Sequence, residues 1–260
     1  MTAARYIDHL ASLGRYSFTT SEAAGELGVS PVAARAALRR LMRRGEIAVP
    51  YRSFYVIVPP EYRRVGCLPG DQFIDQLMGH LEEPYYVGLL SAAEYHGAAH
   101  HRPQQLQVVT EKNRPALDCG AVRIAFIARN NAREIPVRLI NTPRGTVRVS
   151  TPEATALDLV GHPEHSAGLD NVATVLSELA ESLDPDRLAE AARLSPLPWS
   201  QRLGYLLEHL GFRESAGSLA AFVADKAPHL TPLSPATSMR GTTRDPRWKV
   251  AVNAAVEADL

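Results

Sequence analysis

With 260 residues, 45% of them apolar, and 28 basic side chains against 28 acidic ones, the chain has ample material for a packed core and divides more naturally into two domains than one. No apolar run approaches the roughly 18 residues of a membrane span, and the amphipathic start MTAARYIDHLASLG lacks a signal-peptide core, so no membrane partner and a cytoplasmic location are expected. Cys67 and Cys119 stand apart with no CxxC spacing, which suggests neither a disulfide framework nor a zinc site, and both read as incidental thiols.

In chain order, Tyr6, Leu10 and Leu13 recur at helical spacing, predicting a first helix over about 3–13 that Gly14 closes. In FTTSEAAGELG, Thr19 and Glu22 form a capping-box pattern with Phe18 placed as a hydrophobic staple, so a short second helix starts near Thr20 and ends at Gly28. Ala24 supplies a small residue at the helix crossing, Gly28 a turn residue tolerant of positive φ, and Val29 and Ala34 apolar positions after it.

A third helix follows in SPVAARAALRRLMRR, capped by Ser30, opened by Pro31 and ended at Gly45. At 100° per residue Ala34, Leu38 and Leu41 share one face. Val32, Ala36, Arg39, Arg40 and Arg43 fall on the opposite arc, with Arg35 on its shoulder. Small residues early and cations later suit a helix whose start approaches a groove floor while its body lies between phosphates. The strand-forming runs EIAV and FYVIV, joined through Pro50, Tyr51, Arg52 and Ser53, supply the hairpin of a winged helix-turn-helix, with Arg52 at its tip.

This pattern names the candidate DNA contacts. Ser30, Arg35 and Arg39 are placed for base edges, because arginine grips guanine O6 and N7 with two bonds; Val32, Ala33 and Ala36 offer methyl contacts; Arg40, Arg43 and Arg52 are placed for phosphate. Residues 1–64 hold ten arginines against five acids, +5, which leaves −5 on residues 65–260 of the neutral chain. A basic head on an acidic body fits a DNA-binding module joined to a domain with another task.

Pro59 and Pro60, then Pro69 and Gly70, read as a linker, and the boundary is set at a winged helix-turn-helix domain over 1–64 and a second domain over 65–260. The second domain opens with helical signals in DQFIDQLMGHL and YYVGLLSAAEYHG. QLQVVT, AVRIAFIA, IPVRLINT and GTVRVST then predict a mainly antiparallel sheet. Thr151 and Pro152 start a helix in EATALDLV, and further helices are expected at about 169–182, 186–194, 200–210 and 217–227, with WKVAVN as a possible edge strand of the sheet. The fold class is therefore α+β, a winged helix-turn-helix followed by a mixed domain whose sheet is flanked by helices.

Charge alternates with the pleat. Val122, Ile124 and Phe126, then Val137 and Leu139, then Val147 and Val149 are expected on one face, and Arg123, Arg138 and Arg148 on the other. From 102 to 148 nine basic residues face three acids, and from 151 to 190 nine acids face Arg187 alone. The three arginines are candidate partner contacts; the competing reading is mutual neutralisation of sheet and helices, or solvation.

Other chemistries are weighed on the same residues. His96, His100 and His101 have partial metal-ligand spacing, but Gly97 and Pro103 interrupt the helix that would align them. Glu111, Lys112 and Asp118 lack the paired carboxylates of a metal-dependent nuclease, and Asp158 on an apolar helix suits a buried pair. No cofactor motif and no catalytic residue is identified, and the chain is not expected to be an enzyme.

The series YYVGLLSAAEYHGA, VRVSTPEATALDLVGHPEHSAGL and QRLGYLLEHLG resembles the AbiEi-type antitoxins of abortive-infection, type IV toxin–antitoxin systems. The resemblance implies a winged helix-turn-helix that represses its own operon at promoter DNA and a C-terminal domain that neutralises a cognate nucleotidyltransferase-like toxin, with or without direct contact. The DNA-reading helix transfers onto Ser30–Arg44, and no individual antitoxin residue transfers. A ligand-sensing transcription regulator and, further off, a DNA-targeted nuclease stand as alternatives.

Overall fold

The computed structural model describes residues 1–98 and 103–258. In chain order its regular elements begin α1 (Ala3–Ser12), β1 (Ser17–Thr19), α2 (Thr20–Leu27), α3 (Pro31–Arg43), β2 (Ile47–Tyr51), β3 (Phe54–Ile57), α4 (Ile74–His80), β4 (Tyr85–Val87) and α5 (Leu89–Tyr95). They continue with β5 (Leu106–Thr110), β6 (Leu117–Cys119), β7 (Val122–Ala128), β8 (Val137–Thr142), β9 (Gly145–Ser150) and α6 (Pro152–Gly161). The last are α7 (Leu169–Leu179), α8 (Pro185–Arg193), α9 (Leu197–His209), α10 (Gly217–Lys226), β10 (Thr231–Pro232), β11 (Thr243–Asp245) and β12 (Val250–Val252). The chain is α+β, as its sequence predicts.

Two compact units are formed, the first from Met1–Tyr86, Gln104–Ala132 and Leu139–Arg148, the second from Val87–Pro103, Arg133–Arg138 and Val149–Leu260. In the first unit α1, α2 and α3 pack around a core that includes Tyr6, Ile7, Leu10, Phe18, Leu38 and Leu41. Phe18 meets the Tyr6 ring edge-on at 5.3 Å and stacks on Tyr55 at 5.3 Å, joining the helices to a three-stranded sheet of order β1-β3-β2. Strand β1, which no sequence pattern announced, adds to the hairpin by pairing antiparallel with β3. Two expected core positions lie outside: Leu13 is 61% exposed because α1 stops one residue before it, and Val29 is 42% exposed beyond the Gly28 turn.

The segment 59–70 is packed, not an open linker. Single 3₁₀ turns occupy Pro60–Tyr62 and Gly70–Gln72, while Cys67 and Leu68 are fully buried. Its prolines and glycines serve tight turns that lay the backbone along the β6–β7 hairpin, where the Ala121 N–H donates to the Val65 carbonyl at 2.8 Å.

The larger sheet has the order β6-β7-β5-β4-β9-β8. Its β6–β7 pair is antiparallel, while β5–β7 and β4–β9 run parallel. Strand β4 corrects the helix expected over YYVGLLSAAEYHG: Tyr85, Tyr86 and Val87 are buried strand, and α5 begins only at Leu89, whose φ is 53°. Ile124, Val147 and Val149 are buried as the pleat predicts. Leu139 is instead 65% exposed, because β8 is an outermost strand, and on β7 Ile127 is buried while Phe126 is half-buried.

The second unit is organised on α6, buried from Pro152 to Val160, with α5, α7, α8 and α9 around it. Side chains on α6 satisfy polar groups inside: Thr155 Oγ1 and Ser150 Oγ lie 2.7 Å apart, and Glu153 accepts the Asp184 N–H at 3.2 Å near the start of α8. Indole rings leave no room for a Cβ at two glycines, Gly161 against Trp199 and Gly204 against Trp248. WKVAVN does not extend the larger sheet; β12 is the centre of a separate small sheet of order β10-β12-β11.

Candidate nucleic-acid interface

The site begins with the turn that presents α3. Thr19 accepts from the Glu22 N–H at 3.2 Å while Glu22 accepts from the Thr19 N–H at 2.7 Å, completing the capping box of α2. Arg15 closes on Glu22 at 2.7 Å. Burial opposes ionisation of Glu22, but the Arg15 and Thr19 hydrogen bonds prevail and hold its carboxyl below the usual range. Gly28 then turns the chain at φ 65°, and Ser30 caps α3 by accepting from the Ala33 N–H at 3.3 Å, with Pro31 at the first helical position.

Ala34, Leu38 and Leu41 face the core, as their spacing requires. Every candidate DNA contact on α3 faces solvent: Ser30, Val32, Ala33, Arg35, Ala36, Arg39, Arg40 and Arg43 are all exposed. Arg35, Arg39, Arg40 and Arg43 form no ion pair among the described residues, whereas Arg44, the next in line, is held by Glu46 at 3.1 Å. Nothing internal neutralises the arc.

The wing stands beside this helix. Strand β2 carries a register shift between Ala48 and Tyr51, where Pro50 has no N–H to offer a ladder, and the two-residue turn Arg52–Ser53 places Ser53 at φ 64°. The Thr20 N–H donates to the Ser53 carbonyl at 3.0 Å, fixing the turn to the start of α2. Arg52 is exposed at its tip.

The same unit contains a constellation that the sequence did not announce. Arg144, in the turn between β8 and β9, lies with its guanidinium 4.2 Å from the Tyr16 ring centre and 5.5 Å from that of Tyr62. It donates to Gln72 Oε1 and to Glu61 Oε1, each at 3.1 Å. Tyr16, Phe54, Gln76, His80 and Arg144 line a cleft of about 450 Å³ here, the kind of polar recess a ligand-sensing reading asks for. Arg144 is far from Tyr16 in sequence, so no local spacing betrays the contact.

Other candidates are dispersed. Arg123 and Arg148 are exposed, but in the sheet order β5 and β4 separate β7 from β9, so these two do not form one cluster; each has an acid nearby, Asp118 at 3.7 Å and Asp75 at 4.0 Å. Arg138 is exposed on β8. Of the acids from 151 to 190, Glu164, Asp170, Glu181, Asp184, Asp186 and Glu190 are exposed, and Glu153 and Asp158 are buried. His96 gives its Nε2–H to the Ser150 carbonyl at 2.7 Å; His100 and His101 lie outside the described residues. Glu111 and Lys112 follow β5, and Asp118 is paired with Arg123 as above.

A family model described as transcriptional regulator, AbiEi antitoxin, matches residues 5–58, the span from α1 to the end of the wing, and a second, the AbiEi antitoxin C-terminal domain, matches residues 86–209. The chain belongs to the AbiEi antitoxin family. As an AbiEi protein it carries an antitoxin and transcription-regulator role, and neither matching model describes an enzyme family. The crystal structure of the RV2827C protein from Mycobacterium tuberculosis has the same fold, with a TM-score of 0.67 over 95% of this AbiEi chain and 90% of that one at 18% identity. A search of curated proteins returns no match. No helix among the described residues is long and apolar enough to cross a membrane.

Proposed function

We propose that this antitoxin represses its own operon by laying α3 in the major groove of promoter DNA, with Arg52 of the wing on the adjoining backbone. Residues 1–64 act as the DNA-binding domain, and residues 65–260 neutralise a cognate nucleotidyltransferase-like toxin. The observation that carries the reading is the arc of Arg35, Arg39, Arg40 and Arg43, exposed and without an acidic partner among the described residues. Cations held away from the protein's own carboxylates are available to phosphate and to guanine edges. Arg35 and Arg39, nearer the start of α3, take base edges with Ser30; Val32, Ala33 and Ala36 sit close enough to the groove floor for methyl contact; Arg40, Arg43 and Arg52 take phosphate. Arg123, Arg138 and Arg148 are the proposed contacts for an acidic surface on the toxin.

The test uses the full-length chain, a labelled promoter duplex and a scrambled duplex of equal length, across a salt series. Arg35→Ala and Arg39→Ala are each expected to cost about 1–3 kcal/mol of promoter preference. The same variants, co-expressed with the toxin of the neighbouring gene, are expected to keep full rescue. Equal affinity for both duplexes at all salt concentrations overturns the repressor half; failure of the intact chain to rescue overturns the antitoxin half. Charge reversal at Arg138 and Arg148, read as rescue in the same assay, decides whether those arginines carry the toxin contact.

A further inference from the structure

Two side chains unused by any of this lie against each other in the first unit. The Ala121 N–H donates to the Val65 carbonyl at 2.8 Å, and a Cβ on Gly120 would fall 3.0 Å from Gly66 Cα and 2.2 Å from the Val65 oxygen. The turn at 65–66 therefore lies against 120–121, and the next residue, Cys67, reaches the preceding one, Cys119. Sulfurs close enough to share a hydrogen bond need only a small movement to reach the S–S bond length. Both cysteines are free; Cys67 is fully buried and Cys119 is 8% exposed. Incidental by spacing, they are neighbours by fold.

The thiols already interact. Cys67 S–H donates to Cys119 Sγ, which also accepts from the Val49 N–H of wing strand β2. That sulfur hydrogen bond, followed by burial, pushes Cys67 well up. The same bond lowers Cys119 against the effect of burial, helped by Val49. A thiolate on either sulfur is supported by the S–H of the other, and Cys119, with the Val49 N–H also beside it, is the better placed of the two.

We propose that Cys67 and Cys119 form a modification site, a dithiol that a peroxide-class oxidant closes reversibly into a disulfide tying the segment after the wing to the β6–β7 hairpin. Cys119 sulfur attacks a peroxide oxygen: an S–O bond forms, the O–O bond breaks, and the departing hydroxide leaves as water with the thiol proton. Cys67 sulfur then attacks Cys119 sulfur; the S–S bond forms, the S–O bond breaks, and hydroxide leaves as a second water with the Cys67 proton. Two thiols are oxidised by two electrons and one peroxide is reduced to two waters. Because Cys119 Sγ also holds the Val49 N–H, closure is felt at the root of the wing.

The test exposes the full-length chain to hydrogen peroxide, blocks residual thiols under denaturing conditions and maps peptides without reduction. The expected result is an intrachain Cys67–Cys119 crosslink that dithiothreitol removes, with altered hydrogen exchange at the Val49 amide. In Cys67→Ser, or Cys67→Ala should the serine variant fail to fold, Cys119 is expected to accumulate as sulfenic acid captured by dimedone, at least several-fold above the wild-type chain. Full alkylation of both cysteines after peroxide, crosslinks only between chains, or equal dimedone capture in wild type and variant overturns the proposal. None of these readouts depends on DNA binding.

Discussion

The guanidinium of Arg144 lies 4.2 Å from the centre of the Tyr16 ring, so a residue of the β8–β9 turn is held by one from the loop between α1 and β1. Glu61 and Gln72 complete its shell, and its side chain is only 12% exposed. Arg144→Ala removes a largely desolvated cation–π contact and two charge-assisted hydrogen bonds at once. A loss of about 1–3 kcal/mol is expected, measured by urea denaturation followed in the far ultraviolet. Arg144→Lys is expected to recover less than half, since an ammonium lacks the planar fork that serves a ring, an amide and a carboxylate together. Full stability of the alanine variant would show the contact to be incidental.

Phosphate contacts and base contacts separate in a salt series. Arg43→Gln is expected to weaken binding to promoter and scrambled duplex alike and to flatten the slope of log K against log salt by about 0.9, one counterion fewer released. Unequal loss between the two duplexes would move Arg43 into the base-reading group.

Two glycines on helices should respond oppositely to alanine. A Cβ at Gly204 falls 2.0 Å from the Trp248 ring, and that ring cannot swing aside because its Nε1–H donates to Glu208 at 2.6 Å. Gly204→Ala is expected to destabilise by about 1–3 kcal/mol or more through overpacking. Gly79, exposed on α4 with nothing within 4 Å of the added carbon, should gain about 0.5–1 kcal/mol from the same change. Thermal unfolding of the two variants beside wild type decides both.

Burial holds the pKa of His96 below that of a free imidazole and Arg138 lowers it further, while the Ser150 hydrogen bond and Glu153 act the other way. Its folded pKa is thus below its unfolded one, and the unfolded chain binds more protons in between. The stability from keeping His96 neutral is fully present above the unfolded value and is lost as pH falls toward the folded one. Wild type should therefore lose more stability between pH 7.5 and 5.5 than His96→Gln. Equal losses in denaturant midpoint would place His96 outside this linkage.

Local chemistry made the helix-turn-helix head legible. Caps at Thr19 and Ser30, the glycine turn at Gly28 and the burial of Ala34, Leu38 and Leu41 each depend on residues within a few positions of one another. Contacts across the chain left no such trace. Strand β4 was hidden because Tyr85–Val87 abuts a helix and shares its apolar texture. The parallel β5–β7 pair was hidden because the stretch between them is too short for a helix, and β6 makes the crossover instead. Cys67 with Cys119, and Arg144 with Tyr16, meet only once the sheet has formed, and of the arginines expected on one sheet face Arg123 fell on a strand that does not neighbour those of Arg138 and Arg148.

Arg35, Arg39 and Arg43 follow one another at four-residue steps along α3, so each cation repels the next across a single helical turn. The free helix is strained by its own side chains, and polyanions or added electrolyte should raise its melting point before any sequence is read. The spacing that leaves this arc open to a partner thus leaves α3 short of counter-charge of its own.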